Sequence, residues 1–110
     1  MKLLTKTIKK RFRKIGCQDG LPDEEVIVVA KYFHACGHWT WYATEFNAET
    51  NMFFGLVAGD FLEWGYFSLD EFEELRRKGI FIERDLYFQE ATIEELKTEI
   101  NESYSFGTLK

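Results

Sequence analysis

Trp39-Thr40-Trp41-Tyr42-Ala43-Thr44-Glu45-Phe46 is the stretch that decides the fold. It is built from aromatic and β-branched side chains, which fit a pleated sheet. A side-chain period of two gives one face Trp39, Trp41, Ala43 and Glu45, and the other Thr40, Tyr42, Thr44 and Phe46. Both faces are apolar and aromatic, so both need cover.

Outward from this strand the same chemistry repeats. Val26 to Cys36 reads as the preceding strand, with Cys36-Gly37 as the hairpin turn between the two. Asn47 to Asn51 is a polar turn, Met52 to Ala58 a third strand, Gly59-Asp60 a turn and Phe61 to Phe67 a fourth strand. Period two separates Phe53 from Phe54, and puts Trp64 and Tyr66 opposite Phe61 and Phe67. Connections this short enforce antiparallel neighbours, hence a meander.

Helical periods flank the strands. Leu4, Ile8, Phe12 and Ile15 mark an amphipathic helix that stops at Gly16, and Cys17 to Glu25, with Asp19-Gly20 and Pro22, is a loop. Ser68-Leu69-Asp70-Glu71 is a capping box opening a helix with Leu69, Phe72 and Leu75 inward, ending near Gly79. Ile80 to Phe88 reads as a fifth strand. Thr92-Ile93-Glu94-Glu95 opens a last helix with Ile93, Leu96 and Ile100 inward, and the tail from Asn101 is read as loose. The fold class is α+β: a roughly five-stranded, mostly antiparallel meander with an N-terminal helix and two further helices. Three short helices cover one sheet face. The second must be met by loops, a curled sheet, a twin subunit or a ligand.

Composition agrees with one domain over 1–110. A chain of 110 residues with 45% hydrophobic and 30% charged residues has a globular balance, and its 11 Phe, 5 Tyr and 3 Trp can fill a core. Cys17 and Cys36 are too few for a disulfide scaffold. The start has no apolar signal-peptide stretch, and the longest apolar run, Val26 to Ala30, is far too short for a membrane span. The expectation is a cytoplasmic protein with free thiols.

Charge is unevenly placed. The net charge is −5, yet the first fourteen residues hold Lys2, Lys6, Lys9, Lys10, Arg11, Arg13 and Lys14 and no acid. The remainder carries seven basic against nineteen acidic residues, so +7 is followed by −12. This charge either seats the helix on the acidic body, the reading preferred here, or faces an anionic partner such as nucleic acid.

His34, Cys36 and His38 alternate and are zinc-ligand types, but a turn at Cys36-Gly37 breaks the alternation, and no metal site is expected. Glu45, Glu63, Glu83 and Asp85 each interrupt an apolar strand. There a carboxylate is solvated, paired or tuned, with Lys31 and Arg84 as available partners. Two of them together would suit general acid–base work or a divalent metal. There is no G-x-S-x-G, no catalytic cysteine context and no phosphate-cradling glycine loop.

Five ordered motifs carry a resemblance: Leu3-Leu4-Thr5, Thr40 to Phe46, Phe53-Phe54-Gly55-Leu56-Val57, Gly65-Tyr66-Phe67-Ser68, and Ile82-Glu83-Arg84-Asp85-Leu86-Tyr87-Phe88. Over nearly the whole chain the sequence resembles the bacterial domain-of-unknown-function family numbered 2958. The resemblance implies an accessory protein of plasmids and other mobile elements, and supplies no reaction and no catalytic residues. The family's first hairpin turns through a Pro-Asp-Gly-like segment, where this chain has His34-Ala35-Cys36-Gly37-His38.

The reading is a non-catalytic binding or regulatory module without a cofactor, holding a protein partner or a second copy on its aromatic sheet face. Its candidate binding residues are Trp41, Tyr42, Glu45, Glu63, Tyr66, Glu83, Arg84 and Asp85. One alternative is a small hydrolase or nuclease-like enzyme using the strand carboxylates. Another is a single-stranded nucleic-acid binder that stacks bases beside the basic helix. No membrane partner is expected.

Overall fold

The helical spacing of Ile8, Phe12 and Ile15 becomes the first element of the computed structural model, which describes residues 1–103. Helix α1 (Lys6–Ile15) begins at Thr5, whose Oγ1 accepts from the Ile8 N–H at 3.2 Å, and ends at Gly16, where φ is 70°. There follow β1 (Ile27–Val28), β2 (Ala30–His34), β3 (Thr40–Asn47), β4 (Met52–Ala58) and β5 (Leu62–Ser68). Helix α2 (Leu69–Arg77), β6 (Ile82–Arg84), β7 (Ala91–Thr92) and α3 (Lys97–Ser103) complete the described chain. Five strands form an antiparallel sheet in the order β5-β4-β3-β2-β6, and β1 pairs with β7 as a separate ribbon. The α+β class and the meander of β2 to β5 are as the sequence predicts.

Three local departures have physical causes. The strand expected over Val26 to Cys36 divides at Val29. Val26 and Val28 pack on one side of the sheet with Ile93, while Ala30 and Tyr32 pack on the other, so the chain changes layers between them. The strand expected over Ile80 to Phe88 narrows to Ile82–Arg84, because Asp85 accepts from the Tyr87 N–H at 2.9 Å and turns the chain away. The Thr92 capping box does form: Thr92 Oγ1 accepts from the Glu95 N–H at 3.1 Å, and Glu95 Oε1 from the Thr92 N–H at 2.9 Å. But Thr92 is held in β7 and the Ile93 N–H donates to the Val26 carbonyl, so the continuous helix starts only at Lys97. Asn101 to Ser103 belong to that helix rather than to a loose tail, and residues 104–110 lie outside the described residues.

The sheet carries its core on both faces. Helices α1 and α2 cover the first, where Tyr32, Trp41, Phe53, Phe67 and Phe72 form a connected aromatic core with ring centroids 4.8 to 6.4 Å apart. The Tyr32 hydroxyl is buried there and donates to the Leu3 carbonyl at 2.7 Å. The ribbon and α3 cover much of the second face, packing Val28, Ile93, Leu96 and Ile100 on Tyr42, Leu56 and Ala58. Lys31 ties α3 down: its Nζ lies 2.9 Å from Glu99, 3.7 Å from Asp85 and 5.7 Å above the Tyr42 ring. Among the described residues no helix is long and apolar enough to cross a membrane.

Candidate binding surface

The cover on the second face stops short of β5. On that face Phe54 of β4 stands opposite Tyr66 of β5, and Leu56 opposite Trp64. The Phe54 ring stacks on Trp64 at 6.0 Å and 11° and meets Tyr66 edge-on at 5.0 Å and 65°. Tyr66 is 74% exposed and Trp64 41%, so this trio is an aromatic surface rather than core. It continues into an open groove of about 710 Å³ whose lining includes Lys9, Arg13, Glu45, Glu49, Phe54 and Tyr66. A smaller hollow of about 240 Å³ shares Phe54 and Glu45 and adds Trp64, Gln18 and Asp19.

A β-bulge shapes this corner. The β3–β4 register runs Ala43 with Gly55 and then Glu45 with Phe54, which leaves Thr44 as an extra residue. The alternation therefore inverts after Ala43. Glu45, expected beside Trp41, turns to the Phe54 face, while Phe46, expected beside Tyr42, packs on Phe53 at 4.8 Å and Phe12 at 6.0 Å. Buried Gln18 holds the bulge. Its Nε2 donates to the carbonyls of Thr44 and Ile27, both at 2.8 Å, its Oε1 accepts from the Ile27 N–H at 2.7 Å, and its own N–H donates to Glu45 Oε2 at 3.0 Å. Thr44 Oγ1 donates to the Phe54 carbonyl at 3.1 Å. The groups freed by the bulge are thus paired, and Glu45 is fixed in place.

The basic helix borders the same groove. At 100° per residue, Lys6, Lys9, Lys10, Arg13 and Lys14 fall within an arc of about 140° opposite Ile8, Phe12 and Ile15. The preferred reading, that this charge seats the helix on the acidic body, is corrected here. Among the described residues only Arg11 of the N-terminal basic group pairs with a carboxylate, that of Glu90, at 2.8 to 3.0 Å. Lys2, Lys6, Lys9, Lys10, Arg13 and Lys14 are exposed and have no carboxylate within 4.0 Å among the described residues. The helix is seated by its apolar stripe on the Phe46 and Phe53 side of the sheet.

The candidate residues disperse. Trp41 is core, edge-on to Phe72 at 4.8 Å, and Tyr42 is fully buried beneath α3. Glu63 is exposed on β5, one edge of the sheet. Half-buried Glu83 and Arg84 lie on β6, the opposite edge, about 19 Å away at the usual strand spacing. Asp85 pairs with Lys31, and Arg84 Nε donates to the Lys2 carbonyl at 3.1 Å. Only Glu45 and Tyr66 share a site. Cys36 and His38 are exposed in the β2–β3 turn, His34 is half-buried, and no group of three or more His, Cys, Asp or Glu gathers for a metal among the described residues.

Phe54, Trp64 and Gln18 were not among the candidate residues, whereas Lys9 and Arg13 belong to the basic helix that the sequence already offers to an anionic partner. Phe54, Trp64 and Tyr66 share a face by alternation, and an edge position for β5 would have signalled exposure. Gln18 had no local signal, because its partners lie nine and twenty-six residues away.

A family profile described as protein of unknown function, DUF2958, matches residues 3–101. The chain belongs to the DUF2958 family. The DUF2958 match runs from Leu3, before α1, into α3, and so includes the aromatic corner, the bulge and the basic helix. No curated protein and no solved structure matches the chain significantly.

Proposed function

We propose that this protein is a non-catalytic binding module that holds single-stranded nucleic acid in the groove between α1 and the Phe54–Trp64–Tyr66 corner. The observation that carries the reading is that Lys9 and Arg13, both exposed and without a carboxylate partner among the described residues, line the same groove as Phe54 and Tyr66. Phosphates lie along the cationic arc and bases stack on the aromatic rings. Stacking contributes ~1–3 kcal/mol per base and needs no sequence-specific contact. Glu45 and Glu49 line the groove beside the aromatic rings, so phosphates lie on its α1 side, along the cationic arc and away from these carboxylates. The mobile-element setting implied by the family resemblance suits such an activity. Glu63 stands at the opposite edge of the sheet from Glu83 and Asp85, and Asp85 is engaged by Lys31 at 3.7 Å, so the strand carboxylates favour a paired-carboxylate enzyme less than the groove favours a binding module.

The test is fluorescence anisotropy with a labelled oligothymidine and a matching duplex, across a salt series. Single strands are expected to bind more tightly than duplex, with Trp64 emission quenched. Tyr66→Ala should weaken binding about tenfold with the salt slope kept, whereas Lys9→Gln with Arg13→Gln should lower the slope by roughly two charges. No binding at low salt, or equal affinity for duplex and for Tyr66→Ala, sinks the proposal.

A further inference from the structure

Strand β5 is an uncovered edge. No described strand lies beyond it, and α2 turns back at Ser68 over the first face, reaching Trp41 and Tyr32, so it leaves the edge open. Native edges are usually blunted by bulges, proline or inward charge. β5 is regular along its whole pairing with β4 and has one charge, Glu63. The Leu69 N–H donates to the Asn51 carbonyl at 2.9 Å, which fixes the phase of the ladder: Phe67, Gly65 and Glu63 exchange their backbone bonds with β4. The N–H and C=O groups of Trp64 and Tyr66 therefore point outward along the edge.

We infer that the occupant of this edge is a second copy of the chain, paired antiparallel through β5 about a two-fold axis at Gly65. Gly65 is the midpoint of Leu62–Ser68, so this register uses the full strand. It sets Trp64 opposite the partner's Tyr66 as a hydrogen-bonded pair, and every outward N–H and C=O of the two residues finds its complement. Charge selects the register. Glu63 faces the partner's Phe67, and the two Glu63 carboxylates stand about 14 Å apart along the strands, beyond the screening length of ~8–10 Å. A register centred on Trp64 halves that separation. At the axis the two Gly65 residues form a non-hydrogen-bonded pair, where backbones approach within ~4.5 Å. A Cβ built on Gly65 meets nothing within 4 Å, so the protomer itself does not require glycine there. The result is a ten-stranded sheet with Trp64, Tyr66 and their two copies in one ladder, flanked by both Phe54 rings. The interface lies at the small end of specific interfaces, below ~1,200 Å², so association is concentration-dependent. This inference stands on the strand edge and does not depend on the nucleic-acid reading.

The test is sedimentation velocity on the full chain over a dilution series. Wild type is expected to pass from monomer to dimer, and no further. Gly65→Lys places two cations face to face on the axis and should weaken dimerisation about tenfold or more, with the circular dichroism spectrum and melting temperature of the monomer kept. Gly65→Cys with Cys17→Ser and Cys36→Ser should give a disulfide-linked dimer under mild oxidation. A strict monomer at the highest soluble concentration overturns the inference. So does a dimer that Gly65→Lys leaves intact, or a failure of the Gly65→Cys protein to cross-link.

Discussion

Replacing Gln18 tests how the candidate surface is held. Its side chain makes three hydrogen bonds of 2.7 to 2.8 Å to backbone groups of Ile27 and Thr44, in a place only 5% exposed. Gln18→Ala removes a donor or acceptor from each of these three groups, and a buried group left unpaired costs about 1–3 kcal/mol. Water reaching part of the space lowers the sum, so the expected loss is about 3 kcal/mol, a fall in melting temperature of roughly 10–15 °C. Gln18→Glu keeps the shape but sets a carboxylate against two carbonyl oxygens 2.8 Å away, and should be worse than alanine at neutral pH. Such a carboxyl has its pKa raised in the folded state, so this variant should regain stability as pH falls and the proton restores one donor. Urea denaturation of the three proteins at two pH values is the assay. A Gln18→Ala loss below about 1 kcal/mol, or a Gln18→Glu milder than alanine at neutral pH, refutes the clamp.

Tyr32→Phe should cost about 1–2 kcal/mol, because the buried Leu3 carbonyl loses its donor. Burial pushes the Tyr32 hydroxyl well above its ordinary range. Its contribution is therefore full below about pH 10 and lost as pH rises further, so an alkaline melting series should slope less steeply for Tyr32→Phe than for wild type. Gly55 and Gly65 face each other in one ladder but differ in surroundings. A Cβ on Gly55 would meet the Tyr42 carbonyl oxygen at 1.9 Å, so Gly55→Ala should cost about 3 kcal/mol or more, whereas Gly65→Ala should be neutral or stabilise by up to about 1 kcal/mol. Similar thermal shifts for the two would contradict the described packing.

The legible parts of the fold were those written in local period. The stripe of Ile8, Phe12 and Ile15 marked α1, and the alternations around Trp41, Phe53 and Phe67 marked three neighbouring strands. What failed depended on distant partners. Nothing near Val29 signals that Val28 pairs with Ala91, and nothing near Thr44 signals an extra residue, since Gln18 supplies its hydrogen bond from another segment. Through that single residue, Glu45 and Phe46 exchanged faces and the site assignment shifted with them. Trp41 and Tyr42 drew attention by size, but size in a central strand marks core. The exposed rings lie on β5, and strand order depends on pairings that alternation does not encode.

The two aromatic and aliphatic layers also differ in when their parts exist. Every buried residue of the first lies between Leu3 and Ile82, so a chain growing from its N-terminus holds that layer's full complement early. The second needs Ile93, Leu96 and Ile100, and its ribbon joins residues 27 and 28 to 92 and 91. Until those late residues leave the ribosome, Tyr42, Leu56 and Ala58 present a wet apolar surface next to an unpaired β1. The last segment thus acts as a closing flap on a half-built sandwich, and it shields from other chains a surface that favours aggregation.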